Sequence, residues 1–374
     1  MRNSPEAFPR RILSAVCGLS PQILTETLYA LAVATRPAFV PTEIHLLTTR
    51  EGAHRASLTL LHPESGRFHQ LRRDYGLPEI AFDASHIHIV RGVDGGELDD
   101  IRSPSDNEHL ADYITQAISE YTQDPEAALH VSIAGGRKTM GYYAGYALSL
   151  FGRPQDRLSH VLVTPDYEGN PDFYYPTPTS QIIYTRENRP LDSAKAEVSL
   201  AEIPFIRLRE DIPARLLNGQ VGFNETIAAA RRASEPPYLT IDRAARELNA
   251  NGVSVRLPDI LFAFYCWVLT RSVLDERPLP KPAKGEAGNR EYAEEFIGHY
   301  RAIVGELRDT DKTEAALRKG MDENFFQEKI SRINSALKEE LGERLAQRYR
   351  IINRGRRSYT DYGLELTADQ TQII

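Results

Sequence analysis

Cysteine is nearly absent from this chain: only Cys17 and Cys266 occur, far apart. With no His/Cys cluster at zinc-ligand spacing either, neither a disulfide framework nor a structural metal is expected, and a reducing compartment, the cytoplasm, is. Long apolar runs are missing too. The longest, at 260–269, falls far short of the ~20 residues that span a bilayer, and the N-terminal MRNSPEAFPRR has no apolar signal core. Secretion, membrane insertion and a membrane partner are therefore not expected. Positive charge is not in excess: the formal net charge is −7, which argues against a basic coat for unspecific nucleic-acid binding. Any polyanion has to be met in a pocket or on one face.

Two nucleotide signatures are also lacking. No G-x-G-x-x-G follows the first apolar run, which argues against a dinucleotide enzyme. A Walker A loop needs glycines where this chain has Arg137 and Ser132, which argues against triphosphate hydrolysis.

What is present is alternation. Between residues 11 and about 165, the apolar runs ILSAVCG, EIHLLTT, HIHIV, ALHVSIAGG and LSHVLVTP alternate with helical periods at 23–35, 54–75, 107–121 and 139–151. Such βαβ repetition predicts an α/β fold with a Rossmann-like, mostly parallel sheet covered on both faces. Its ligands gather beyond the carboxyl ends of the strands. Further on, 173–179 (FYYPTPT) reads as a proline-pinned loop, and 181–186 and 198–208 as strands forming a hairpin or an edge extension. A length of 374 residues allows two domains: a first over 1–210, a linker over 211–237, and a mainly helical second over 238–374 with an insertion around 275–322.

The most informative stretch is HVSIAGGRKTMGYYAGY, residues 130–146, where a strand runs into Gly135 and Gly136 and then into a helix whose first turn carries Arg137 and Lys138. Cations there oppose the helix dipole, which favours negative charge at its N-terminus by about 0.3 to 1 kcal/mol. Together with Thr139 and free backbone N–H groups, they describe a phosphate seat. The plainer alternative is a strand-to-helix turn with two solvated cations. The loop after the first strand, Gly18-Leu19-Ser20-Pro21-Gln22, offers a second candidate, Ser20, for which an N-cap role before Pro21 is the alternative. In a doubly wound sheet these two loops are neighbours, so Ser20 and Lys138 flank one phosphate.

GLSPQILTETLYAL, DNEHLADYI, AGGRKTMGYYAGYALSLFGRPQDRLSHVLV and EIPFIRLR together resemble CRISPR-associated CARF-domain proteins over most of the first 210 residues. The resemblance implies a homodimeric sensor of cyclic oligoadenylate, the second messenger of type III CRISPR complexes. HEPN relatives need Arg-x(4–6)-His. The only histidine after His160 is His299; Ala293 and Glu294 stand where that arginine would be, and Arg290 is too far away. What remains is a ring nuclease or a regulator. In the ring nucleases that this chain resembles, a serine of the first loop and a lysine after the fourth strand carry the reaction, which maps onto Ser20 and Lys138.

Such a reaction needs no cofactor and no metal. A ribose 2′-hydroxyl in line with phosphorus expels the 5′-oxygen and leaves a 2′,3′-cyclic phosphate, so the protein enforces geometry and stabilises charge. Lys138 is assigned to the developing charge, Ser20 to positioning, and the Gly135/Gly136 backbone to close phosphate approach; without a placed histidine base, turnover is slow. Gly18, Leu19, Thr49, Arg50, Asp106, Asn107, Arg137 and Thr139 are candidate ligand contacts, with an N-cap alternative for Asp106. His86 and His88 read as packing residues, and Tyr142, Tyr143 and Tyr146 as core, dimer-interface or adenine-stacking aromatics.

The last third resembles a winged helix-turn-helix of response-regulator type: a strand pair at 238–255, a helix at 258–270, a charged insertion, a helix at 325–341, and a hairpin around Gly355. DNA contact would use Lys329, Arg332, Asn334 and Lys338, with Arg354, Arg356 and Arg357 on the wing. Interleaved Glu328, Glu339, Glu340 and Glu343 weaken that reading and favour dimerisation or covering of the first domain's pocket. The alternative to the enzyme remains a messenger-controlled transcription regulator.

Overall fold

The computed structural model describes residues 4–217, 222–283, 288–305, 310–356 and 359–374, so Arg357 lies outside the described residues. The chain divides into two compact units, Met1–Arg209 with Leu216–Thr226, and Glu210–Arg215 with Ile227–Ile374. The segment expected as a linker thus carries structure, in helices α6 (Ala214–Leu217) and α7 (Phe223–Arg232).

The first unit runs β1 (Arg10–Val16), α1 (Gln22–Tyr29), β2 (Glu43–Thr48), α2 (Arg50–Leu60), α3 (Arg67–Asp74), β3 (Ile87–Ile89), α4 (Pro104–Tyr121), β4 (Ala127–Ser132), α5 (Lys138–Phe151) and β5 (Arg157–Val163). There follow a small hairpin, β6 (Ile182–Tyr184) with β7 (Pro190–Asp192), and β8 (Val198–Glu202). The sheet order is β3-β2-β1-β4-β5-β8, parallel except for β8, which extends the edge antiparallel to β5. Of the alternatives for 181–186 and 198–208, the edge extension is realised by β8, whereas β6 closes its hairpin with β7, a strand not expected from sequence, and not with β8. Every residue of β4 is buried, as expected of a central parallel strand covered on both faces. Its polar members are paired, His130 with Ser159 at 2.7 Å and Ser132 with Thr27 at 3.2 Å. The helical stretch expected at 54–75 is two helices, because Pro63 supplies no N–H and the chain restarts at Gly66.

Two histidines make this unit acid-sensitive. Burial, and then the charge of Arg157, push His130 down to about 3. Burial, and then His45 and His86, push His88 down to about 4, with His45 hydrogen-bonded to it at 2.8 Å. The unfolded chain takes up protons near pH 6.5 that the folded one refuses, so this stability is whole above about pH 6.5 and is lost as pH falls toward 4. Denaturant titrations at about pH 7.5 and pH 5 will differ by about 2 kcal/mol from His130 alone, with less from the part-solvated His88. Equal stability at both pH values contradicts this, and His130→Gln removes its share.

The second unit opens with an antiparallel meander, β9 (Leu239–Asp242), β10 (Glu247–Ala250) and β11 (Val253–Arg256), where a strand pair was expected. Helices α8 (Asp259–Leu269), α9 (Arg290–Val304), α10 (Asp311–Leu317), α11 (Glu323–Leu341) and α12 (Glu343–Gln347) follow. The hairpin β12 (Ile352–Asn353) with β13 (Tyr362–Gly363) turns around Gly355, and β14 (Thr371–Ile373) pairs parallel with β9. Buried residues run unbroken from Leu261 to Leu269 in α8, as befits a helix apolar on all sides at the centre of a core.

Most of the polar residues considered for DNA contact already have partners in the unit. Lys329 is buried and pairs with Glu328 at 2.7 Å, which also takes Arg332 at 3.1 Å. Asn334 exchanges two hydrogen bonds with the Ile351 backbone, Lys338 meets Glu343 at 2.8 Å, and Arg354 meets Asp361 at 3.0 Å. Arg356 is exposed. No described helix is long and apolar enough to cross a membrane.

Candidate functional site

The strand order of the first unit reverses between β1 and β4, and there the loops leaving both strands face one crevice. They touch through glycines. A Cβ on Gly18 would lie 3.3 Å from the Cα of Gly136, which itself sits at φ +81°, where a Cβ would be 2.8 Å from the Met140 sulfur. The left-handed backbone at Gly136 turns β4 into α5 in one step, and only glycine takes it without strain. Gly52 brings in the third loop: a Cβ there would stand 2.1 Å from Thr48 Oγ1 and 2.7 Å from the Gly18 carbonyl.

These loops enclose a cavity of about 530 Å³. Seven of the residues singled out from sequence line it: Gly18, Leu19, Ser20, Thr49, Gly135, Gly136 and Arg137. Arg50, Lys138 and Thr139 adjoin lining residues in the chain without lining it themselves, and all three are exposed. Helix α1 starts at Gln22 with Pro21 already in helical geometry and no side-chain cap, so Ser20 is an exposed loop residue outside the helix. Lys138 forms no ion pair with any described residue, and its backbone opens the first turn of α5.

Asp106 and Asn107 belong elsewhere. The N-cap of α4 is Ser103, and Asp106 completes a capping box, accepting from the backbone N–H groups of Arg102 and Ser103 at 3.0 and 2.9 Å. Those bonds hold its carboxyl below the usual range. Asn107 donates to the Tyr143 hydroxyl at 2.5 Å. Neither residue lines the cavity.

The remaining wall is acidic. Glu26, Glu51, Asp99, Asp100 and Glu168 line it, with Arg137 the lining arginine. The loop after β3 lays two of these carboxylates on two candidate ligand-contacting arginines, Arg137 of the expected phosphate seat and Arg50. Asp100 takes both the Nε of Arg137, at 2.8 Å, and its terminal nitrogen. Asp99 takes Arg50 through Nε at 2.6 Å, and the Arg50 N–H is bound by the Leu98 carbonyl at 2.9 Å. The Arg137 bond holds Asp100 below the ordinary carboxylate range. Glu26 moves the other way: burial, and then the charge of Glu168, push it up to about 7.

Gln22 and Glu26, four residues apart and just after the Ser20 loop, were legible as one helical face, a carboxylate standing in the apolar run ILTETLYAL. The Asp99–Asp100 pair carried no local signal. No group of three or more His, Cys, Asp or Glu side chains is placed to hold a metal among the described residues.

A family model, CRISPR-associated protein NE0113, matches residues 20–236. The chain belongs to this CRISPR-associated family. The NE0113-family match opens at Ser20, covers Lys138 and α7, and closes before β9, so it takes in the crevice between β1 and β4 and leaves the body of the second unit outside. No curated protein matches this NE0113-family chain.

Proposed function

We propose that the first unit is a CARF-type sensor and ring nuclease. As a homodimer it binds cyclic oligoadenylate, with the tetra-adenylate as the expected ring, and cleaves it without metal, switching off type III CRISPR signalling. The observation that carries this reading is the meeting of the β1 and β4 loops through Gly18 and Gly136, with Ser20 on the cavity wall and, beside it, Lys138 without an ion pair among the described residues. Backbone N–H groups at the start of α5 and the ammonium of Lys138 suit a phosphate, and Ser20 suits the neighbouring 2′-hydroxyl. Attack by that hydroxyl forms the 2′-oxygen–phosphorus bond and breaks the bond to the 5′-oxygen. The 5′-oxygen leaves with a proton, and the 2′-hydroxyl proton goes to solvent. Lys138 offsets the charge that builds up on the phosphorane. Tyr142, 58% exposed on α5 beside Tyr146, supports a dimer face.

Incubation of the purified protein with cyclic tetra-adenylate in EDTA tests the proposal, the expected result being linear products ending in 2′,3′-cyclic phosphate. An intact ring after prolonged incubation sinks it. The strand, helix and hairpin order of the second unit supports a winged-helix-like description. The internal pairing of Lys329, Arg332, Lys338 and Arg354 speaks against a regulator that grips DNA with them.

A further inference from the structure

The cavity wall of the first unit carries a buried amide oxygen without a partner among the described residues and, one helical turn on, a carboxyl without an ion pair among them. Gln22 and Glu26 lie one turn apart on α1 and both line the cavity. Gln22 donates its Nε2–H to the Pro171 carbonyl at 3.3 Å, which orients its amide and leaves Oε1 buried without a partner among the described residues. Glu26 is 7% exposed, and its carboxyl forms no hydrogen bond or ion pair with any described residue. Folded proteins leave few buried polar atoms unpaired, and those that remain point to a partner from outside. Gln22 Oε1 can only accept, so that partner brings an N–H or O–H group.

We propose that Gln22 and Glu26 form a base pocket that reads the amino edge of adenine and so sets the base specificity of the ring; this rests on the cyclic oligoadenylate reading above. Adenine presents an amino donor beside a ring-nitrogen acceptor. Gln22 Oε1 takes one amino hydrogen. The Glu26 carboxyl, when neutral, takes the other on its carbonyl oxygen and donates its O–H to the ring nitrogen. Burial and Glu168, which push Glu26 up to about 7, keep that neutral form available and limit repulsion of the ring's phosphates. The other charged or titratable groups on the cavity are His160, Glu51, Asp99, Asp100 and Arg137. A 6-oxo purine turns an acceptor toward Gln22 Oε1 and is rejected.

Binding of 2′-fluoro rings, which lack the nucleophile and stay intact, tests this. Cyclic tetra-inosinate will bind about 10- to 100-fold more weakly than cyclic tetra-adenylate, and Gln22→Leu will narrow that ratio. Affinity for the adenylate ring will fall about 10- to 30-fold from pH 6 to pH 8.5, as Glu26 ionises and loses its donor. Glu26→Gln, whose amide keeps a donor and an acceptor at every pH, will bind with a flat profile. His160→Gln will keep the wild-type slope. Should the buried substitution fail to fold, Glu168→Gln at an exposed position serves instead, moving the midpoint to lower pH by removing the neighbouring charge. Equal binding of both rings, or a pH slope that survives Glu26→Gln or does not move in Glu168→Gln, overturns this proposal and leaves the ring-nuclease reading standing. Binding of neither ring at any pH overturns both.

Discussion

Lys138→Ala is expected to slow cleavage of cyclic tetra-adenylate by about 10²- to 10³-fold, the loss typical when one preorganised group facing developing charge is removed. The side chain is exposed and has no ion pair among the described residues, so the substitution changes stability by no more than about 0.5 kcal/mol. A loss of rate at unchanged melting temperature is thus the expected signature. Lys138→Arg keeps the charge but replaces a compact ammonium with a planar fork, and recovers only part of the rate. Ser20→Ala, which removes one neutral hydrogen bond from an exposed loop, loses about tenfold or less. Single-turnover rates with saturating protein separate these effects from ring binding. Wild-type rates in Lys138→Ala would move the chemistry away from the start of α5.

The second large effect is a gain. Asp99→Asn with Asp100→Asn is expected to tighten binding of the tetra-adenylate ring by about tenfold at physiological salt, because two charges leave the cavity wall and two guanidinium groups lose their carboxylates. In the free protein Asp100 grips Arg137 at two atoms and Asp99 grips Arg50, so a phosphate reaching either arginine competes with a built-in anion. The pairs are more than half exposed on the arginine side, where solvent screening leaves them little weight in folding. Melting temperature therefore drops slightly while affinity rises. Calorimetric titrations at two salt concentrations check both points, since phosphate contacts by freed arginines steepen the salt dependence. An unchanged affinity would show that Asp99 and Asp100 stay on their arginines when the ring is bound.

The βαβ alternation up to residue 165 is legible in the sequence because central parallel strands are buried on both faces and appear as unbroken apolar runs, as in β1 and β4. The glycines of the two crevice loops are legible for a similar local reason: Gly136 sits in a left-handed backbone, and the cations follow it directly. The start of α4 is also written locally, as Ser-Pro-Ser-Asp, but Asp106 is the third residue of the helix, closing the capping box, and not its cap. Helix 54–75 was misjudged in length because its break depends on Pro63 and Gly66 outweighing the apolar period.

From its sequence alone this chain determined where its strands end, where the backbone bends sharply enough for an anion to approach, and that Ser20 and Lys138 follow such bends. Only the tertiary structure decided which charges there are free. Asp100 stands 37 residues before Arg137, and Asp99 stands 49 after Arg50. Their pairing follows from the order β3-β2-β1-β4, which local periodicity does not encode. Glu26 likewise owes its raised pKa to the depth at which α1 packs and to a carboxylate across the cavity, because the charge state of a buried group is set by what surrounds it in space.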